Sequence, residues 1–396
     1  MSSLISRALF RLRKRNVVTD ALRYDGCAKD AVGRVLLYYK TDPLFSEKLR
    51  TSYRHTNDSE IIEIIRIFHQ LGFSVDVVDR EASWDDIKPL LKNAYTVYCA
   101  NAAGNSAPLH ADINREINAQ CRIYYAAGPE PGYSNELVHR RHAEFDERTG
   151  TTCVRRRILR DSNFDARLLG MDAIFYIGNE FSASTFRRVS SIPMFRLLPS
   201  TSPLLAMDLG MLKRKSAKSF LYLGGNGLIC KGLDLVLEAF DGLSHLTLDV
   251  CGPEGETDFW EYYRPLMERN PQITFHGFVD VTGPAFKNIT SRTAFNIFPS
   301  CSEGCATSVV TAMRRGVIPV VTPESGVDVG EFGYELQNTT VEGIRNVVMK
   351  LCEISHADLK RRILDTYLDS SRYSMDGFKD SVLRALLNTL SIKGLV

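Results

Sequence analysis

At 396 residues the chain is longer than one hydrophobic core ordinarily supports, so two domains are expected. Its 44% hydrophobic and 24% charged residues are those of a folded globular protein, and a formal net charge of +2 sets up no field that would argue for a nucleic-acid partner. Nine cysteines, an odd count without a CxxC, read as reduced thiols of a cytosolic protein rather than as a disulfide framework or a zinc site.

No apolar run approaches the roughly 20 residues of a membrane-spanning helix. The opening residues 1–16 are basic and amphipathic, with Leu4, Ile5, Leu9, Phe10 and Leu12 set against Arg7, Arg11, Arg13, Lys14 and Arg15. Such a segment can lie on an anionic membrane surface. The expected location is therefore cytoplasmic, with peripheral contact at the inner face of a membrane through residues 1–16.

Strand-like apolar runs then alternate with helix-like ones, the pattern of parallel sheets covered by helices. Strands are predicted at 34–39, 74–79, 95–100, 122–126, 173–177 and 194–198. Asn57, Asp58 and Ser59 offer N-caps to an amphipathic helix over 61–71, which Gly72 ends. Residues 136–160, rich in Arg and His, read as a helix facing solvent or a cleft. Segment 199–219, with two prolines and a Lys/Arg cluster, reads as a linker. A second series follows, with strands at 220–223, 246–251, 273–275, 294–298 and 318–321 and helices at 233–240 and 306–315. The chain from 358 onward is mostly helical, broken near 370–374. Both halves are Rossmann-like.

Four features of the second half carry chemistry, and their order is specific. The first strand runs into Gly224-Gly225-Asn226-Gly227, followed by Lys231-Gly232: glycines let backbone approach a phosphate, and a lysine adds a point charge. The next strand ends at Gly252-Pro253, where a base or ribose can sit outside the sheet's carboxyl edge. Gly277 follows the third strand, and backbone at Phe278 and Val279 can hydrogen-bond a nucleobase. The fourth feature is Pro299-Ser-Cys-Ser-Glu303-Gly304, leading into a helix near Ala306. The first-turn amides of that helix make an anion site suited to a diphosphate, with Gly304, Thr307 and Ser308 small enough to admit it. Glu303 would face the sugar, where a carboxylate accepts hydrogen bonds from neighbouring hydroxyls.

Across roughly 220–330 this order resembles the retaining glycosyltransferases of family 4, the glycosyl transferases group 1 family. The resemblance implies a GT-B fold, two Rossmann-like domains facing a central cleft. It also implies a donor site for a nucleotide sugar, UDP- or GDP-linked, bound as substrate without a separate cofactor or metal. Glu303 matches the first glutamate of the family's E-x7-E motif; the second, which would hold ribose hydroxyls, falls at Thr311. The arginine five residues before the loop lysine falls at Asn226. Glu303 and Lys231, together with His110 of the first domain, are thus the expected catalytic residues. Gly225, Asn226, Gly252, Phe278, Gly304, Ala306, Thr307, Ser308 and Thr311 are expected to line the donor. The stretch Ser371 to Phe378 is similar to the helix that crosses back to the first domain in this fold.

The acceptor, a glycan, lipid or protein, would be held by first-domain loops. Candidates are Arg54, His55, the Gly128-Pro-Glu-Pro-Gly132 turn and His110, the last chosen because a first-domain histidine often lies near the reacting sugar in the family. The expected organisation is an N-terminal segment 1–30, an acceptor domain 31–205, a donor domain 206–375 and a crossing helix 376–396. The expected activity is that of a retaining, metal-independent hexosyltransferase of glycan biosynthesis. Two other readings stand beside it: a sugar-nucleotide epimerase, and a degenerate non-catalytic protein that binds a sugar nucleotide or a partner transferase. A nicotinamide-dependent dehydrogenase is disfavoured, since no GxGxxG follows the first strand.

Overall fold

The computed structural model describes residues 16–22, 31–47, 49, 56–102, 106–159, 165–201 and 209–395. The basic segment 1–15, Arg54, His55 and the expected domain boundary at 205/206 lie outside them. Among the described residues no helix is long and apolar enough to cross a membrane.

The first sheet has seven strands: β1 (Val17–Val18), β2 (Gly33–Tyr39), β3 (Phe73–Asp79), β4 (Ala94–Ala100), β5 (Asn118–Ala126), β6 (Ala173–Ile177) and β7 (Met194–Leu197). Their order is β1-β3-β2-β4-β5-β6-β7, parallel except for the antiparallel pairing of β1 with β3. The strands are near-continuous apolar runs because helices cover both faces, and two separate clusters of buried side chains form there. The helix Asn57–Gln70 starts earlier than its apolar pattern: Thr56, not Asn57, Asp58 or Ser59, stands at the N-cap position, without a side-chain capping hydrogen bond, and Asp58 and Glu60 are buried in the first turn.

The second sheet comprises β8 (Ser216–Leu223), β9 (Thr247–Cys251), β10 (Ile273–Phe275), β11 (Thr293–Phe298), β12 (Ile318–Val321) and β13 (Tyr334–Glu335). All pairings are parallel, in the order β10-β9-β8-β11-β12-β13. The chain reverses its direction of winding between β8 and β11, and a ligand crevice opens outside the carboxyl ends of such a strand pair. The expected linker is shorter than 199–219. Residues Leu209–Arg214 are helical, and Lys215 is buried, its ammonium donating to the carbonyls of Thr290 and Thr293 at 2.7 Å each.

Two segments tie the sheets together. The helix Met375–Ile392 packs Phe378, Val382, Ala385, Leu386 and Leu390 into the core of the first sheet, after the chain has left the second. The helix Pro131–Thr149 belongs to the first half by sequence, yet its Phe145 and the following Cys153 lie in the core of the second sheet. That helix does not run to 160 as expected. Gly150, at φ +67, ends it, and residues 150–159 continue as an extended arm along the second domain.

Candidate functional site

The crevice between β8 and β11 holds a compact charge cluster. β8 delivers Lys231 at the end of its glycine loop, and β11 delivers Ser300 and Glu303. The Lys231 ammonium, on a side chain only 9% exposed, pairs with Glu303 Oε1 and lies 5.4 Å from the centroid of the Phe298 ring. Arg157, from the extended arm, places Nη2 at 3.3 Å from Glu303 Oε2, and Ser300 Oγ donates to Oε1 at 3.4 Å. Burial alone would raise the Glu303 carboxyl, but Arg157 and Lys231 outweigh it and hold the group below the usual carboxylate range. Glu303 is therefore ionised and gripped by two cations.

Lys231 and Glu303, expected to serve the phosphate and the sugar respectively, are in direct contact; Arg157 was not among the sequence candidates. The available signal was the Arg155-Arg156-Arg157 run, which falls within the stretch read as a helix facing solvent or a cleft.

The glycine loop is already filled by a carboxylate. Glu256, buried, accepts from the amide of Gly227 and from that of Leu228 at 3.1 Å, so these two amides do not cradle a phosphate. Gly225 and Asn226 form the exposed tip of the loop and stay open to a ligand. Gly227 sits at φ +90, and a Cβ there would come within 2.4 Å of Arg157 Cδ, so the glycine admits the arginine's stem.

After β11 the chain packs tightly against the first domain. A Cβ on Gly304 would lie 2.2 Å from the Ala127 carbonyl oxygen, the Gly304 carbonyl accepts from Ser182 Oγ at 3.2 Å, and Ser302 and Ser134 share a hydroxyl contact of 2.7 Å. The smallness expected of Gly304 therefore serves domain contact rather than phosphate entry. The helix begins at Thr307, and the Ala306 amide donates to the Ser325 carbonyl at 2.8 Å. Ala306 is accordingly withdrawn from the anion site. Thr307 and Ser308, both half-buried, occupy the first turn, where amide N–H groups lack helical partners. Thr311 is buried and its hydroxyl donates to the Thr307 carbonyl at 2.7 Å. With its proton engaged in its own helix, it can only accept from a ribose hydroxyl, and more weakly than a carboxylate would.

On the other side of the crevice the Gly252 amide donates to the Gly277 carbonyl at 3.0 Å, joining the two turns. Phe278 follows at the carboxyl end of β10 with 67% of its surface exposed. An aromatic ring exposed to that degree beside two glycine turns presents a flat face that a nucleobase can cover.

Two first-domain candidates are corrected. His110 is fully buried, its Nδ1 2.8 Å from the Tyr98 hydroxyl and its Nε2 3.1 Å from the Arg167 carbonyl, among the rings of Tyr38, Tyr98 and Tyr124. Burial lowers its pKa to about 4. It is a neutral core histidine with no path to a sugar. Glu130 of the Gly128–Gly132 turn is the N-cap of the helix Pro131–Thr149, accepting from Gly132 and Tyr133 amides at 2.7 and 2.6 Å. Its carboxylate serves the helix rather than an acceptor.

No curated protein matches the sequence. Residues 217–353, from β8 to just past the helix Val341–Leu351, match the family described as glycosyl transferases group 1. The structure is similar to sucrose-phosphate synthase from Thermosynechococcus elongatus, with a TM-score of 0.63 and 12% identity over 91% of this chain and 99% of that one. It is similar to HepE of Anabaena in complex with UDP-glucose, with a TM-score of 0.59 and 11% identity over 90% of this chain and all of that one. The N-terminal domain of Candida albicans trehalose-6-phosphate phosphatase is similar too, with a TM-score of 0.55 and 11% identity over 93% of this chain and 98% of that one. At these identities the likeness is one of fold, and the fold is GT-B.

Proposed function

We propose that this GT-B protein, whose second half carries a glycosyl transferases group 1 domain, moves a sugar from a nucleotide-sugar donor to an acceptor hydroxyl. The observation that carries the reading is the Lys231–Glu303–Arg157 cluster at the crevice between β8 and β11. In such a transfer the bond from the anomeric carbon to the diphosphate breaks as the bond to the acceptor oxygen forms. The acceptor's proton leaves with a phosphate oxygen. Negative charge grows on the departing diphosphate, and fixed cations and first-turn amides facing it lower the barrier. Lys231 and the amides of Thr307 and Ser308 fill that role, while Glu303 receives sugar hydroxyls once the donor draws the cations away. Side-chain cations at the leaving group fit a reaction that needs no metal ion. Departure and attack on one face would retain the anomeric configuration. HepE's UDP-glucose complex makes a UDP-hexose the first donor to try.

A second reading, a non-catalytic protein that binds a sugar nucleotide or a partner, is favoured by the engaged Thr311 hydroxyl and by the neutral Asn226 at the loop tip. One experiment separates the two. The protein is incubated with UDP-, GDP-, ADP- and CMP-sugars, with and without EDTA, and free nucleotide is followed. Release from one donor, unaffected by EDTA and lost in Glu303→Ala and Lys231→Ala, is expected of the transferase. Nucleotide binding without release from any donor or acceptor would transfer the assignment to the non-catalytic reading.

A further inference from the structure

We infer that Arg157, carried by the arm of the first half that lies on the second domain, is the second cation for the donor's diphosphate. The inference rests on the donor site proposed above and adds to it a residue from outside the donor domain's own sequence.

The donor loop from Gly224 to Gly232 contains one charged side chain, Lys231, and Glu303 neutralises it. A diphosphate brings about two negative charges, so a lysine already balanced by a carboxylate is a weak counterpart. Arg157 changes the count. With Lys231 and Arg157 against Glu303 the cluster carries one net positive charge before the donor arrives. Arg157 also meets the geometric needs of such a role. Its side chain is 35% exposed, and Nη2 makes both of its contacts, to Glu303 Oε2 at 3.3 Å and to the Ser302 carbonyl at 3.2 Å. The remaining N–H groups of the planar fork are those that would meet phosphate oxygens two at a time.

The backbone holds this side chain deliberately in place. Arg157 sits at φ +67, a conformation that costs a side-chain-bearing residue energy and persists only where the surroundings impose it. Its stem lies against Gly227, where any Cβ would collide with it. Neighbours anchor the arm to the donor domain: Val154 N–H donates to Asp258 at 2.6 Å, Arg156 lies 3.4 Å from Glu256, and Cys153 enters the second core. Glu256 in turn holds the glycine loop. Arm, loop and carboxylate therefore form one unit, which fixes Arg157 at the donor site.

The resident carboxylate then acts as a stand-in for the ligand. Glu303 grips both cations in the absence of donor; the diphosphate takes them and frees Glu303 for the sugar. The test measures binding of UDP and GDP by calorimetry to the full chain and to Arg157→Ala, Arg157→Gln, Arg155→Ala and the double variant Arg157→Ala/Asn226→Arg. Uridine and guanosine binding is measured alongside by ligand-observed NMR. The expected result is a roughly ten- to hundredfold loss of diphosphate affinity in both Arg157 variants, with nucleoside binding unchanged. Arg155→Ala, which breaks an exposed pair with Asp146 and a 3.4 Å contact with His139 Nδ1, neither of them at the donor site, should bind as the wild type. An arginine at the loop tip should restore part of the loss. Arg157→Gln keeps the stem over Gly227, so the comparison survives if Arg157→Ala does not fold. Wild-type affinity in both Arg157 variants, or an equal loss for nucleoside and diphosphate, overturns the inference and leaves the donor reading standing. A wild-type protein that binds neither nucleotide overturns the donor reading, and this inference with it.

Discussion

The Lys231 ammonium and the Glu303 carboxylate meet across the gap where the second sheet reverses its winding, although 72 residues separate them. Each comes from the loop that follows one of the two strands flanking that gap. The pair is therefore a product of strand order, not of either loop alone.

Because the carboxylate competes with a phosphate for two cations, Glu303→Gln should split binding from turnover. Donor turnover should fall at least about a hundredfold. Affinity for free UDP or GDP should rise, by roughly two- to tenfold, since a neutral amide no longer opposes the anion. Calorimetry and initial rates on the same preparation check both, and unchanged nucleotide affinity would show that Glu303 does not compete for the cations.

His110→Ala should act on stability and not on catalysis. Removing a fully buried ring with both nitrogens engaged should cost about 2–4 kcal/mol in denaturant unfolding, with KM for donor unchanged. The folded pKa of about 4 lies below the ordinary value of 6.5, so the unfolded chain binds a proton first as pH falls. Stability held above pH 6.5 is then lost between pH 6.5 and 4, by on the order of 3 kcal/mol from this residue. Unfolding curves across that window should flatten in His110→Ala.

Glu60 has the opposite sign. It is buried, accepts from the Ser200 amide at 2.9 Å and from its hydroxyl at 3.1 Å, and burial raises its pKa to about 7 despite the nearby Lys40. A carboxyl whose folded pKa is raised stabilises below pH 4.5, and that contribution is lost as pH rises through 7. Glu60→Gln keeps an acceptor for the Ser200 amide without a charge. It should raise stability at pH 8 by about 1–3 kcal/mol and change little at pH 5, as urea unfolding at the two pH values will show.

Gly304→Ala should force a choice between strain and opening. The added methyl would stand 2.2 Å from the Ala127 carbonyl oxygen, backbone against backbone, so no side chain can yield. We expect a loss of about 1–3 kcal/mol, or a wider inter-domain angle visible in solution scattering. Wild-type melting together with a wild-type scattering profile would mean that the two loops are not held in contact.

The strands were readable because buried parallel strands are written as short apolar runs with both faces covered, as in the residues of β2 and β11. The two-residue strands β1 and β13 were not, since two residues carry no periodicity. His110 misled because a histidine reads as chemistry wherever it stands. The warning was its spacing with Ile113 and Asn114, which share its buried helix face.

What the sequence determined by itself was local: which runs become strands, which loops follow them, and hence that Lys231 and Glu303 sit at carboxyl ends of strands in one sheet. Strand order, the arm and the charge count were decided only in three dimensions. Arg157 is 74 residues from Lys231 and 146 from Glu303, and it reaches them because Phe145 and Cys153 bury themselves in the other domain's core. Glu256 likewise closes the glycine loop from 29 residues away. Apolar burial has no sequence address, so the segment that brings the second cation to the site is chosen by packing, and packing is a property of the folded chain.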